Sequence, residues 1–417
     1  MAYGVVVYLF MNLGVLPLSG VPHPIKPMTL ASRINGVLAV VLFIGLTISL
    51  LIRRNTSSTC GPTSTPTTVY NSGIVKPVPT RSRRSVRVAP ALKTDDRLGR
   101  IIRLLMDHAT VVVSGTKIAD EIGTGRSEVW RLIQQLRSLG VEVAGHPATG
   151  YQLRTVPDLL LSDVLSPLIK STIFQHIHHY YKIGSTNSAA MEAAGAGAAE
   201  GSVFLAEEQI AGRGRGANAW HSARSEGIYC SVVLRPNLPP SEALILSLAA
   251  GLAVHSAVQE IDARVHPDLK WPNDLLLEGK KFCGILTEMN AEATRVRYVV
   301  VGVGINVNQP KFPEELRNSA TSLRLATGTE WSRVEVAATL LKSLHREYRD
   351  LLDKPNARES VLHRFAEHSS YVRGRKMHIE ENGGFDGVTE GLDSRGFLKV
   401  RTTQGLRTVL SGTVRAH

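Results

Sequence analysis

Apolar residues recur along this chain with different periods, and the changes of period divide it. Residues 34–52 pass without a charge, nineteen positions bounded by Arg33 and by Arg53-Arg54. A helix needs roughly 20 apolar residues to span a bilayer, so this is a transmembrane candidate. It is too long for a secretory h-region. The basic residues after it would hold the downstream chain in the cytoplasm, tethered to the inner face of the membrane. The competing reading is that the extension is no part of the working protein, because the true start lies downstream. Residues 55–90 are rich in Ser, Thr and Pro with an Arg run, and read as a disordered linker, so the extension covers residues 1–94.

Helical spacing begins near Asp95 with Leu98, Ile101, Ile102 and Leu105. A second helix is expected over 114–122, a turn at Gly123-Thr124-Gly125, and a third over 126–139 with Val129, Ile133 and Leu136 on one face. Gly140 stops it. Residues 141–143 and 151–153 then alternate like two strands. Three helices and a two-stranded wing over 95–156 make a winged helix-turn-helix. Its last helix would offer Arg126, Ser127, Arg131 and also Gln134 to a major groove. The bland alternative is a small helical module whose arginines are solvated.

After Pro157 the pattern mixes. Strands are expected at 180–183, 202–207, 228–234, 274–277, 282–289 and 298–303, with helices at 188–194, 241–260 and 333–353. That order predicts a mixed α/β domain over 172–366 with a largely antiparallel sheet. From 369 to 416, short strands at 376–380, 386–392, 397–401 and 406–410 between glycines predict a small closed barrel.

Charge changes this picture less than its sum suggests. The formal net charge is +12, but residues 1–93 hold ten Lys or Arg and no Asp or Glu, which leaves only +2 on the other 324 residues. The body of the protein is nearly neutral, and the basicity belongs to the extension. Cys60, Cys230 and Cys283 are widely spaced and odd in number, which excludes a disulfide framework or a zinc pattern and fits a reducing compartment.

Four segments carry candidate chemistry. Glu207-Glu208-Gln209 leads into Gly212-Arg213-Gly214-Arg215-Gly216, with Trp220 after it. Alternate glycines let a backbone approach a ligand closely, and arginines on such a loop suit phosphate or carboxylate. No Gly-Lys-Ser/Thr follows, so this is no Walker loop. Its composition alone also fits an RNA-binding tail, but the loop lies between a strand and an aromatic residue. Lys270-Trp271-Pro272-Asn273-Asp274 opens a strand and offers Asn273 and Asp274 as hydrogen-bonding groups. Lys281, in Lys281-Phe282-Cys283-Gly284-Ile285-Leu286-Thr287-Glu288, is a candidate point charge for a phosphate or an activated carboxyl. Residues 299–308 read as a buried strand that breaks at Gly302 and Gly304 into a turn holding Asn306 and Asn308.

Together with Ser185-Thr186-Asn187, these motifs and their order resemble the bifunctional biotin protein ligases, whose biotin-operon repressor form carries an N-terminal winged helix. The likeness spans about 96–415. It implies an α+β fold: winged helix-turn-helix, a central catalytic domain of the biotin/lipoate ligase type, and a C-terminal SH3-like β-barrel. The resemblance implies activation of biotin with ATP and Mg²⁺ to biotinyl-5′-AMP. Transfer follows, to a lysine of the biotin carboxyl carrier protein of acetyl-CoA carboxylase. By the same resemblance Ser185, Thr186, Asn187 and Gln209 hold biotin, with Gly212, Arg213, Arg215, Lys281, Gly284 and Gly304 around it. Arg213, Arg215, Trp220, Asn273 and Asn306 meet the nucleotide, and Arg215, Lys281 and Asp274 carry the chemistry, Asp274 orienting the incoming amine. Operator DNA is the implied partner of the winged helix, and homodimerisation is left open. A lipoate-type ligase and a DNA-binding biotin sensor without ligase activity are the rival readings. One departure stands out: family members commonly continue Gly-Arg-Gly-Arg-Arg-Gly-Arg before the tryptophan, whereas this chain has Gly216-Ala217-Asn218-Ala219. That puts loop closure over the intermediate in question.

Overall fold

The computed structural model describes residues 92–93, 95–146, 149–155, 157–216, 218–381, 383–410 and 413–416. The membrane-span candidate at 34–52 and the linker at 55–90 lie outside the described residues. A two-residue strand β1 (Leu92–Lys93) precedes α1 (Asp96–Asp107), α2 (Gly115–Ile122) and α3 (Arg126–Ser138). Side-chain caps start the first two helices: Asp95 accepts from the Arg97 amide and Ser114 from the Lys117 amide. Left-handed Gly123 ends α2. Leu98, Ile101, Ile118, Val129, Leu132, Ile133 and Leu136 are all buried between the helices. The wing is β2 (Val143–His146) paired with β3 (Gly150–Leu153), so its first strand starts later than the alternation suggests.

Beyond a short helix α4 (Ser162–Leu165) come β4 (His176–Lys182), α5 (Thr186–Gly195), β5 (Ser202–Ala206), β6 (Gly227–Leu234) and α6 (Leu244–Ile261). Next are β7 (Asp268–Lys270), β8 (Asp274–Leu277), β9 (Lys280–Ala291) and β10 (Val296–Asn306). Then follow α7 (Leu323–Thr327), α8 (Arg333–Asp353) and α9 (Ala357–Glu367). The strands form one eight-stranded sheet, order β1-β4-β5-β6-β10-β9-β8-β7, antiparallel throughout except for the β4–β5 pair that α5 crosses. Both faces are covered. Phe204, Ala206, Val233 and Val300 meet α5, while Val203, Leu205, Val232 and Val301 join the main core with α6 and α8. Residues 240–261 are long and apolar enough to cross a membrane, yet most of their apolar window is buried inside the fold, so α6 reads as a core helix.

The expected break of β10 at Gly302 and Gly304 does not occur: the strand runs on to Asn306, paired to β6 and β9 at both glycines. Those glycines serve close approach of side chains, described below. The C-terminal strands β11 (Arg373–Glu380), β12 (Phe385–Leu392), β13 (Leu398–Thr402), β14 (Gly405–Val409) and β15 (Thr413–Ala416) form an antiparallel sheet in the order β14-β13-β12-β11-β15. The Trp271 indole donates to Gly396 O (2.9 Å) and is 2% exposed, which fastens this sheet to the central domain.

One buried charge cluster ties the segments together. Arg333, at the start of α8, donates to Glu207 Oε2 (2.7 Å) and to Asp158 Oδ2 (3.0 Å). Glu207 also accepts from the Leu160 amide (3.0 Å) and the Ser225 hydroxyl (3.1 Å), with His179 Nε2 3.0 Å away. Burial alone would raise the Glu207 pKa, but Arg333 and His179 outweigh it and hold the carboxyl down at about 2. Removing one partner of such a pair leaves an uncompensated buried charge. Arg333→Met is therefore expected to cost about 3–5 kcal/mol in urea unfolding of the ligand-free protein. Because the folded pKa lies below the unfolded one, the Glu207 contribution is complete above the ordinary carboxylate range. It is lost as pH falls towards 2. Urea midpoints taken from pH 5 down to pH 3 should fall more steeply in the parent than in Glu207→Gln.

Candidate active site

The site is assembled where the N-terminus of α5, the loop after β5, and the middles of β9 and β10 meet. They line a cavity of about 370 Å³ that includes Ser185, Thr186, Gln209, Arg215, Trp220, Asn273, Asp274, Lys281, Gly284 and Gly304. A second cavity of about 440 Å³ adjoins it, sharing Trp220, Lys270, Asp274 and Lys281 and adding Asn306, Phe312 and Tyr371. The motifs read from sequence are thus brought to one place. The parts they play differ in detail.

A polar chain runs along one wall. The Thr186 amide and hydroxyl both donate to Gln209 Oε1 (2.8 and 3.1 Å), and Gln209 Nε2 donates to Ser222 (2.9 Å). Ser231 donates to Asn187 Oδ1 (2.6 Å) and lies 2.8 Å from the Thr186 hydroxyl. Asn187 Nδ2 in turn donates to Leu286 O (3.1 Å) and Glu288 Oε2 (3.0 Å). The Asn187 amide is thereby bonded to protein at both ends, while the residue also lines the cavity. A Cβ on Gly302 would stand 2.0 Å from Asn187 Oδ1, so this glycine exists to admit that side chain.

The glycine-rich loop is a small hairpin. Arg213 bridges to Ala219, the Gly214 amide donates to Asn218 O (2.8 Å), and the Trp220 amide donates to Gly212 O (2.9 Å). Asn218 stands where the family pattern has an arginine, and its Nδ2 donates to Arg215 O (3.0 Å), closing the turn from within. The Trp220 indole lies on the sheet. A Cβ on Gly304 would sit 2.6 Å from its ring, and one on Gly284 2.9 Å, so these glycines line the cavity as a bed for the indole. Trp220 Nε1 is buried with no hydrogen-bond partner among the described residues.

The site's cations are largely balanced by acids. Lys281 Nζ is 2.6 Å from Asp274 Oδ1 and 5.3 Å over the Trp220 ring. Arg213 Nη2 donates to Glu288 Oε1 at 2.6 Å. Burial draws the Arg215 pKa down while Asp274 and Glu381 oppose that, which places this half-buried guanidinium among acids near the Lys281 ammonium. Asn273 Nδ2 donates to Ile285 O (2.8 Å), anchoring the strand entry. Asn306 is 4% exposed, donates to Thr321 O (3.0 Å) and accepts from Gln309 (3.3 Å). It fastens the 307–322 segment and also lines the second cavity. That segment in turn brackets Lys281, whose amide donates to Ser319 O (2.8 Å). Glu288, Ser231 and Ser222 were missed as members of the site. Only Glu288 stood inside a motif, and its role needed the fold.

In the winged helix, Arg126 and Ser127 are exposed on α3. Arg131 is exposed too, but its guanidinium is held by Glu128 through two bonds (2.8 and 2.7 Å). Trp130, beside it, is 59% exposed and went unremarked in the sequence pattern.

Comparisons with known proteins agree with this arrangement. The family model described as Biotin/lipoate A/B protein ligase family matches residues 181–306, and an HTH domain matches 97–152. The chain is 36% identical over 320 residues to the bifunctional ligase/repressor BirA of Bacillus subtilis, covering 75% of this chain and 97% of that protein. To BirA of Escherichia coli it is 29% identical over 288 residues, 68% of this chain and 87% of that one. The biotin protein ligase from Aquifex aeolicus, solved in complex with biotin and ATP, superimposes with a TM-score of 0.52 at 30% identity, over 58% of this chain and all of that one. The chain belongs to the biotin protein ligase family, in its bifunctional ligase/repressor form.

Proposed function

We propose that this protein activates biotin with ATP to biotinyl-5′-AMP and passes the biotinyl group to a lysine of a biotin carboxyl carrier protein, and that its winged helix binds operator DNA. The observation that carries the ligase reading is the cavity itself. A hydrogen-bonding wall at Ser185, Thr186 and Gln209 faces a loop whose Arg215 converges with Lys281 on one space.

In the first step a biotin carboxylate oxygen attacks the α-phosphorus, the bond to the β-phosphate breaks, and pyrophosphate leaves. Two anions must meet, so fixed cations at that point lower the barrier. Arg215 and Lys281 take that role, and Lys281 exchanges its Asp274 partner for phosphate oxygen. Mg²⁺ would enter with ATP and would offset the charge of its phosphates beside Arg215 and Lys281. Ser185, Thr186 and Gln209 hold the ureido ring. Gly284 and Gly304 line the cavity beneath the Trp220 indole, Gly212 packs against the Trp220 carbonyl where the loop begins, and Trp220 and Asn273 border the nucleotide. In the second step the carrier lysine amine attacks the acyl carbon and AMP leaves. Asp274, once released by Lys281, is placed to orient the incoming amine and to take the proton it sheds as the amide forms.

Biotinylation of an apo carrier domain by the full chain, with biotin and MgATP, tests this reading. No transfer by folded protein would refute it. Arg215→Ala and Lys281→Ala are each expected to slow single-turnover adenylation by about 10²–10³-fold.

For the winged helix, operator recognition as a two-fold dimer would place half-sites about one or more helical turns apart, roughly 34–36 Å per turn. Arg126→Ala should weaken binding to all duplexes alike and flatten the salt dependence by about one phosphate contact, measured by fluorescence anisotropy across salt concentrations. An unchanged salt slope would remove Arg126 from the interface.

A further inference from the structure

The third helix of the winged module carries an apolar side chain that its own core does not use. Val129, Leu132, Ile133 and Leu136 are fully buried and complete the inward face of α3. Trp130 stands outside that stripe and is 59% exposed, whereas the other three tryptophans are buried or half-buried. Positions three and four apart on a helix share a face. Trp130 therefore shares its ridge with Arg126, Ser127 and Gln134, on the side of α3 turned away from the core.

The charges beside it are already matched. Arg131 is held by Glu128 (2.8 and 2.7 Å), the Glu128 carboxylate also meets Arg97 (3.1 Å), and Arg97 is paired with Asp95 (2.6 Å). Two guanidiniums and two carboxylates thus make a neutral cluster. A bidentate contact from Arg131 to guanine would first have to break that pairing. Trp130 needs no such exchange, and the one apolar group that base edges present in the major groove is the thymine C5-methyl.

We propose that Trp130 is the specificity-determining residue of α3: its indole packs on a thymine methyl in the major groove, while Arg126, at the first position of the helix, meets phosphate. The proposal rests on the operator-DNA reading of the winged helix and names the base that it selects. The N-terminal half of a recognition helix is the part brought to base edges, and Trp130 is the fifth residue of α3.

Replacing a thymine by 2′-deoxyuridine removes that methyl and nothing else. The full-length parent, with biotin and MgATP, first selects a duplex from a randomised pool about 40 base pairs long, enough for two half-sites. Each thymine of the selected duplex is then replaced in turn. Fluorescence anisotropy at one salt concentration reads each affinity, because phosphate contacts vary with salt. We expect one thymine in each half-site whose replacement weakens binding by the parent about four- to tenfold. Trp130→Ala should bind the thymine duplex no better than the parent binds the uracil one, and should not distinguish the two. Trp130→Phe keeps an apolar ring and should retain part of the discrimination. A thymine preference that survives in Trp130→Ala overturns the proposal, as does a parent insensitive to every replacement. Equal weakening of Trp130→Ala on selected and random duplexes overturns it too, by making the indole a backbone or folding contact. An unchanged DNA affinity with an altered oligomeric state assigns Trp130 to a protein interface and also overturns it. In those outcomes the operator reading stands. A parent that enriches no sequence from the pool refutes that reading, and the proposal with it.

Discussion

A guanidinium buried between two carboxylates is the constraint on which the rest of this molecule hangs. Arg333 is 1% exposed, and such a charge is tolerated inside a fold only when its donors are matched. Its partners come from far apart in sequence: Asp158 just beyond the winged helix, Glu207 at the end of β5, and the Gly227 carbonyl at the start of β6. Two residues after Glu207 stands Gln209, the hinge of the polar wall, and the glycine-rich loop follows at once. The loop thus leaves the sheet from a point that cannot shift without unpairing a buried charge. The junction with the DNA-binding module is bonded to the same point.

The cavity beyond that anchor is held in charge balance by the protein itself. Asp274 faces Lys281 and Glu288 faces Arg213, so the nearly neutral body inferred from composition is neutral locally as well. A polyanionic substrate therefore meets cations that must exchange partners, Lys281 among them. The pairing keeps the empty pocket from being a strongly basic surface, which would attract nucleic acid without selectivity.

The architecture was legible wherever side-chain periodicity reports burial. The three helices of the winged module, the long α8 and the central strands followed from it, because each buries a continuous face. Strand β15 and helix α9 were not legible: β15 is a four-residue strand recognisable only by its pairing with β11, and α9 lacks a strong apolar stripe. The site's membership was legible from motif order, but the division of labour within it was not. Asn187 and Asn306 line the two cavities, and the bonds each also makes to protein are not visible in a motif. Gly302 and Gly304 look like strand breakers. In three dimensions they are strand residues that make room for Asn187 and the Trp220 indole, contacts across 115 and 84 residues of sequence that no local pattern encodes.

The claim at the centre of this account is that the cavity between α5, the glycine-rich loop and β9 makes and keeps an acyl adenylate. It is met most directly by incubating the full-length protein with biotin and MgATP, without any carrier, and passing it through a desalting column. Mass spectrometry of the released ligand should then find biotinyl-5′-AMP in near-stoichiometric amount. Folded protein that emerges with unreacted biotin or with no ligand at all would contradict the account.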